Sequence, residues 1–158
     1  MKTINIVIAG LGGQGVLKAS DILADAVFRQ GLDVKKAEVH GMSQRGGSVS
    51  SDVRFGTQVL SPMVARGEAD FLLVLEPTQH EPNAHMLREG GTLLLPGQID
   101  ESKLANKRSA NVAMLGLLAA KLPMIEQANW VGAIKAALPE KLYEVNLEAF
   151  EMGRNAVV

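Results

Sequence analysis

The 158-residue sequence contains no cysteine. That absence excludes disulfides, a thiol nucleophile, zinc sites built on thiolates and thiolate-held iron–sulfur clusters on this chain. An excess of charge is missing as well: 16 Lys and Arg stand against 17 Asp and Glu, and 47% of residues are apolar, the balance of an ordinary folded domain. Disorder and polycation-type nucleic-acid binding lose their compositional basis. No apolar run reaches the roughly 20 residues of a membrane span, because Gly116 and Lys121 interrupt the richest stretch, Val112 to Leu122. Four familiar chemistries lack their motifs: there is no G-x-x-x-x-G-K-[ST] loop, no G-x-S-x-G elbow, no H-E-x-x-H and no Gly-Asp-Gly of a thiamine-diphosphate site. A self-contained catalyst is hard to assemble from what remains.

What is present reads as one unit over residues 1–158, with no repeat, linker or low-complexity tract. The start, Met1-Lys2 and then Ile4 to Ala9, leads into a glycine-rich turn without a cleavage-like region, so it is expected to be a buried strand in a cytoplasmic protein. Gly10 is expected to end that strand. Val16, Ala19, Leu23, Ala26 and Val27 recur at helical spacing before the stop at Gly31, and Leu32 to Val39 reads as a second strand. This βαβ start predicts an α/β, Rossmann-like three-layer fold with a mixed, mostly parallel sheet. Val49, Ser51, Val53 and Phe55 alternate with Ser48, Ser50, Asp52 and Arg54, which predicts an antiparallel strand; Gly56-Thr57 then predicts a hairpin into Gln58 to Leu60. Phe71 to Leu75 reads as a buried strand, Thr78 to Arg88 as a helix ending at Gly90-Gly91, and Thr92 to Leu95 as a short strand. Three helical segments follow, with Trp130, the only Trp, as a candidate anchor for a partner.

Two loops carry the chemistry. Gly10-Leu-Gly12-Gly13-Gln14-Gly15 fits G-x-G-x-x-G between a predicted strand and helix, where glycines permit a tight turn and close approach of an anion to free N–H groups. Glu38, near the end of the second strand, is the candidate partner for a ribose hydroxyl. The second loop, His40-Gly-Met-Ser-Gln44-Arg45-Gly46-Gly47, would emerge beside the first at the carboxyl end of the sheet, where Arg45 can hold a phosphate or carboxylate and Gln44 can add hydrogen bonds. Other readings stay open: a tight turn that binds nothing, a solvated connection, or packing against another chain. Glu76 faces the same crevice, as a helix-start group more readily than a general base. His80 and His85, five apart, fall on different sides of a helix and make no metal face.

Together, Gly10 to Val16, Glu38 to Val49, Ser61-Pro62, Glu68-Ala-Asp70, Glu76-Pro77, Asn111 to Gly116 and Ala149 to Gly153 resemble the gamma subunit of 2-oxoacid:ferredoxin oxidoreductases, including the small subunit of indolepyruvate oxidoreductase. The resemblance covers nearly the whole chain. It implies a subunit of a complex that converts a 2-oxoacid to an acyl-coenzyme A and passes electrons to ferredoxin. Thiamine diphosphate and [4Fe-4S] clusters are then expected on partner subunits, and coenzyme A near this chain. It implies no catalytic residue and no metal ligand here; the glycine loop would face an anion, and His40 through Gly47 a partner subunit or coenzyme A. Neither nucleic acid nor membrane is expected as a partner, and the isolated chain is expected to be able to form a homodimer. The competing reading is a stand-alone NAD(P)-binding module of a dehydrogenase or redox sensor, resting on Gly10, Gly12, Gly15 and Glu38.

Overall fold

A computed structural model describes residues 1–40 and 47–156, with only the backbone of His40. Among these, five strands form one sheet: β1 (Ile4–Leu11), β2 (Asp33–His40), β3 (Ser48–Gly56), β4 (Ala69–Val74) and β5 (Leu87–Leu94), in the order β2-β3-β1-β4-β5. β3 is antiparallel to both neighbours, whereas β4 is parallel to β1 and to β5. Four strands thus share one direction and one opposes them, the mixed α/β sheet expected. α1 (Val16–Arg29) joins β1 to β2; α2 (His80–Asn83) is a single turn; α3 (Ala110–Ala119), α4 (Gln127–Ala137) and α5 (Tyr143–Arg154) complete the chain.

The alternation in β3 dictates how the layers form. Val53 and Phe55 pair with Ile6 and Ile4 of β1 and turn, with Leu73 and Leu94, into one large core that also receives α1, α3, α4 and α5. The opposite face carries Val7, Ala9, Leu72 and Val74 and is covered by Val64 and Met86 from irregular segments. Polar side chains of that face fasten the cover. Asp33 accepts from the Val59 N–H (2.7 Å), Asp52 from the Val64 N–H (3.0 Å), and Arg54 donates to the Ser61 carbonyl (2.7 Å).

Several expectations change. Strand β1 continues through Gly10, which pairs with Val49. Residues 58–60 form no strand; the antiparallel hairpin is β2 with β3, one strand earlier, because residues 57–68 are used to cover the second face. The region from 77 to 86 holds 3-10 turns and α2 only, and β5 begins at Leu87, so Gly90-Gly91 lie within a strand. They form a bulge: register jumps from Ala69↔Leu87 to Phe71↔Thr92, and a Cβ on Gly91 would lie 2.7 Å from Leu87 Cδ1 and 3.1 Å from the Ala69 carbonyl oxygen. Trp130 is 1% exposed and packs on Phe150 with ring centroids 5.6 Å apart, so it is core and not a partner anchor.

Candidate functional site

The carboxyl ends of β1 and β4 open into a crevice closed on the far side by the turn Lys107–Ser109 and the start of α3. Two adjoining cavities occupy it. The larger, about 570 Å³, is lined by Gly13, Gly15, Lys107, Arg108, Asn111 and Met114 among others. The smaller, about 370 Å³, is lined by Glu76, Pro77, Pro96, Gly97 and Ile99; Gln14, Leu75 and Glu101 belong to both.

The glycine-loop residues come together here but divide their roles. Gly10 makes room for packing, since a Cβ would lie 2.8 Å from Val16 Cγ2 and 3.2 Å from Leu75 Cβ. The Gly12 N–H is taken by the Gly47 carbonyl (2.9 Å), which joins the two glycine loops through their backbones. Gly13 and Gly15 have φ of +89° and +81°, values costly for any other residue. Among the described residues their N–H groups have no backbone hydrogen-bond partner, and both residues line the larger cavity. At Gly13 a Cβ would meet nothing within 4 Å, whereas at Gly15 it would lie 2.4 Å from Asn111 Nδ2. Asn111 donates from that nitrogen to the Gly15 carbonyl (3.2 Å), so α3 clamps the loop. Gln14 accepts from the Leu11 N–H (2.7 Å) and donates to Glu76 (3.1 Å), tying the end of β1 to the end of β4. Glu76 also accepts from the Thr78 N–H, the helix-start role expected of it.

Glu38 is not brought to this crevice. Its neighbour across the ladder is Ser51 of β3, and β3 in turn separates it from β1, a displacement of about 10 Å by two strand spacings. Its carboxylate accepts from Lys36 (2.9 Å), which also contacts Asp21. Burial lowers the Lys36 pKa, but hydrogen bonds and charge from Asp21 and Glu38 outweigh it and raise the net value. A nicotinamide-dinucleotide site needs its acidic ribose ligand on the strand beside the glycine loop. The inserted β3 removes that geometry and disfavours the stand-alone module. Gln44, Arg45 and Gly46 lie outside the described residues, as does the His40 side chain. His80 and His85 belong to the short turns before β5, and no group of three or more metal-ligating side chains occurs among the described residues.

Sequence reasoning missed Lys107, Arg108 and Glu101. Both cationic side chains are exposed at the crevice and without an ion-pair or hydrogen-bond partner among the described residues. The available signal was the run Asn106-Lys-Arg-Ser109: Asn106 Oδ1 accepts from the Arg108 N–H (2.9 Å), capping the turn that enters α3.

Comparison with known proteins agrees with this architecture. A family model described as pyruvate ferredoxin/flavodoxin oxidoreductase matches residues 5–156. Indolepyruvate oxidoreductase subunit IorB of Thermococcus kodakarensis is 35% identical over 99% of this chain and 96% of its own length. That alignment spans 196 positions, more than this chain has residues, so the relative carries stretches with no counterpart here. The crystal structure of a keto/oxoacid ferredoxin oxidoreductase gamma subunit from Geobacter sulfurreducens superposes with a TM-score of 0.82 at 24% identity, covering 99% of this chain and 97% of that one. A 2-oxoglutarate:ferredoxin oxidoreductase from Magnetococcus marinus, solved with 2-oxoglutarate, coenzyme A and succinyl-CoA bound, gives 0.80 at 22% identity, covering 98% of this chain and 31% of that one. At these identities the structural likeness speaks for the fold.

Proposed function

The chain belongs to the pyruvate ferredoxin/flavodoxin oxidoreductase family, and from that premise we propose that it is the gamma-type subunit of a multisubunit 2-oxoacid:ferredoxin oxidoreductase. The reaction is R-CO-COO⁻ + CoA-SH + two oxidised ferredoxins → R-CO-S-CoA + CO₂ + two reduced ferredoxins + H⁺. Thiamine diphosphate to stabilise the acyl carbanion and [4Fe-4S] clusters to carry the electrons are supplied by partner subunits; the absence of cysteine supports that division.

The contribution of this chain is binding and positioning. The crevice fits an extended anionic ligand: Gly13 leaves open space where a side chain would stand, and Lys107 and Arg108 bring unpaired positive charge to the opposite wall. In this reading Gly10, Gly12, Gly13, Gln14 and Gly15 form the coenzyme A-facing loop, and His40, Gln44, Arg45, Gly46 and Gly47 the adjoining intersubunit or coenzyme A-facing loop. Gln14 and Asn111 act as positioning residues through their hydrogen bonds to the loop backbone. No side chain of the crevice is assigned a proton transfer.

The observation that carries the proposal is the end-to-end match to the family, residues 5–156. The test is recovery of the tagged chain from its native host. Copurification with larger subunits containing thiamine diphosphate and iron–sulfur clusters is expected; recovery of the chain alone overturns the reading.

A further inference from the structure

The two edges of the sheet differ in how they resist pairing. At one edge β5 bulges at Gly90-Gly91 and carries the exposed charges of Arg88 and Glu89, features that keep an edge strand from accepting a neighbour. At the other, β2 pairs with β3 in unbroken register from Asp33↔Gly56 to His40↔Val49. Alternate residues of such a strand aim their N–H and C=O groups outward, and among the described residues no strand lies beyond it. Edge lysines deter pairing when they present charge of one sign. Here each has an acid on its own face: Lys35 lies 3.7 Å from Asp33 and Lys36 2.9 Å from Glu38, so β2 presents both signs on each face.

That pattern selects both an occupant and a register. A second copy that extends the sheet about a twofold axis perpendicular to it runs antiparallel and keeps α1 of both copies on one side, so residues of the same face oppose and the axis passes through a residue. Through Lys35, Lys36 or Glu38 the axis sets a charge against its own copy. Through Val34 or Val39 it overlaps only residues 33–35 or 38–40 of β2. Through Ala37, residues 34–40 pair: Lys36 meets the second copy's Glu38, Glu38 meets its Lys36, and Val39, 45% exposed in the single chain, lies against the stem of its Lys35. We propose that this edge is a self-association site, where two copies join β2 to β2 antiparallel about Ala37 and make one continuous sheet. The pairing goes beyond the subunit reading and holds whether or not larger partners bind elsewhere on the chain.

The absence of cysteine makes the axis directly testable. Ala37→Cys places a thiol on the axis, opposite its own copy at a Cα separation of about 4.5–5.5 Å, within disulfide reach. Lys35→Cys places the thiols on either side of the axis, about 13 Å apart along the strands and out of reach. Under mild oxidation of the full chain, Ala37→Cys is expected to run as a covalent dimer on a non-reducing gel and Lys35→Cys as a monomer. Sedimentation velocity of the wild type is expected to show a dimer that dissociates on dilution. Lys36→Glu alone and Glu38→Lys alone each set like charges across the axis and should weaken dimerisation by about tenfold or more. An equimolar mixture of the two variants restores opposite charges at both places and should dimerise within about threefold of the wild type, a recovery that misfolded variants would not give. Self-association at this edge is overturned if the wild type stays monomeric, if Ala37→Cys cross-links no faster than Lys35→Cys, or if the mixture dimerises no more tightly than the single variants. A wild-type monomer in which the Ala37→Cys thiol is masked only in the assembled complex would give the edge to a strand of another subunit, which overturns it as well.

Discussion

Within Gly10-Leu-Gly-Gly-Gln-Gly15 the glycines answer to different forces. Gly15 combines a left-handed φ of +81° with the Asn111 amide 2.4 Å from where a Cβ would stand; Gly13 has the φ and empty space. Gly15→Ala should therefore lower stability by more than the roughly 1–2 kcal/mol of the backbone penalty, and Gly13→Ala by no more than that penalty. Thermal melts of the isolated chain check the order; equal losses would mean that Asn111 yields freely. The spacing of these glycines was legible in the sequence because it follows from the strand–turn–helix connection alone. What was not legible is that Gly12 donates to Gly47 and that Gly10 serves packing, since both depend on which strands and loops are neighbours. Lys107 and Arg108 escaped for a related reason: they reach the crevice only because α3 is clamped to Gly15, far away in sequence.

At the scale of elements, α3 and α5 meet at glycines. A Cβ on Gly116 would lie 2.2 Å from the Phe150 carbonyl oxygen, and one on Gly153 1.8 Å from that of Ala113, backbone atoms that cannot step aside singly. Gly153→Ala should cost about 3 kcal/mol or more, the upper end of overpacking penalties. Gly132 of α4 faces only the movable end of Arg29, with Nη1 2.8 Å from its Cβ position, so Gly132→Ala should stabilise by about 0.5–1 kcal/mol through helix propensity. Denaturant midpoints of the two variants should move in opposite directions. The segment 57–68 is held differently, through Asp52, which is buried and whose pKa is raised by that burial against a lowering hydrogen bond from Val64. The native chain holds this proton more tightly than the unfolded chain. Asp52 thus favours folding most when protonated, and its contribution falls as pH rises from the ordinary carboxylate range through the raised native value. The melting temperature of the wild type relative to Asp52→Asn should decline as pH rises above the ordinary carboxylate value of about 4; a rise would contradict the sign. Helices α1, α4 and α5 were readable from apolar periodicity, and α3 from its apolar run, buried on every side from Asn111 to Ala119. The helix expected from Thr78 to Arg88 was not realised, because Arg88 instead donates to Asp70 (2.7 Å) and binds the bulged edge strand to β4.

For the whole molecule, α/β class and the antiparallel character of β3 followed from burial patterns, since a strand with one polar face writes its alternation into the sequence. Strand order did not. Nothing local says that Ser48–Gly56 slides between β1 and β2, yet that insertion moves Glu38 away from the glycine loop and leaves the crevice between β1 and β4. The same insertion bears on how the protein comes into being. β1 is the central strand of the finished sheet, and both of its neighbours, residues 48–56 and 69–74, are synthesised after it. At about 5–20 residues per second of synthesis, several seconds pass before either edge of β1 can be satisfied. During that interval an apolar strand waits with both hydrogen-bonding edges open, which makes β1 the strand of this sheet most in need of shielding by a chaperone.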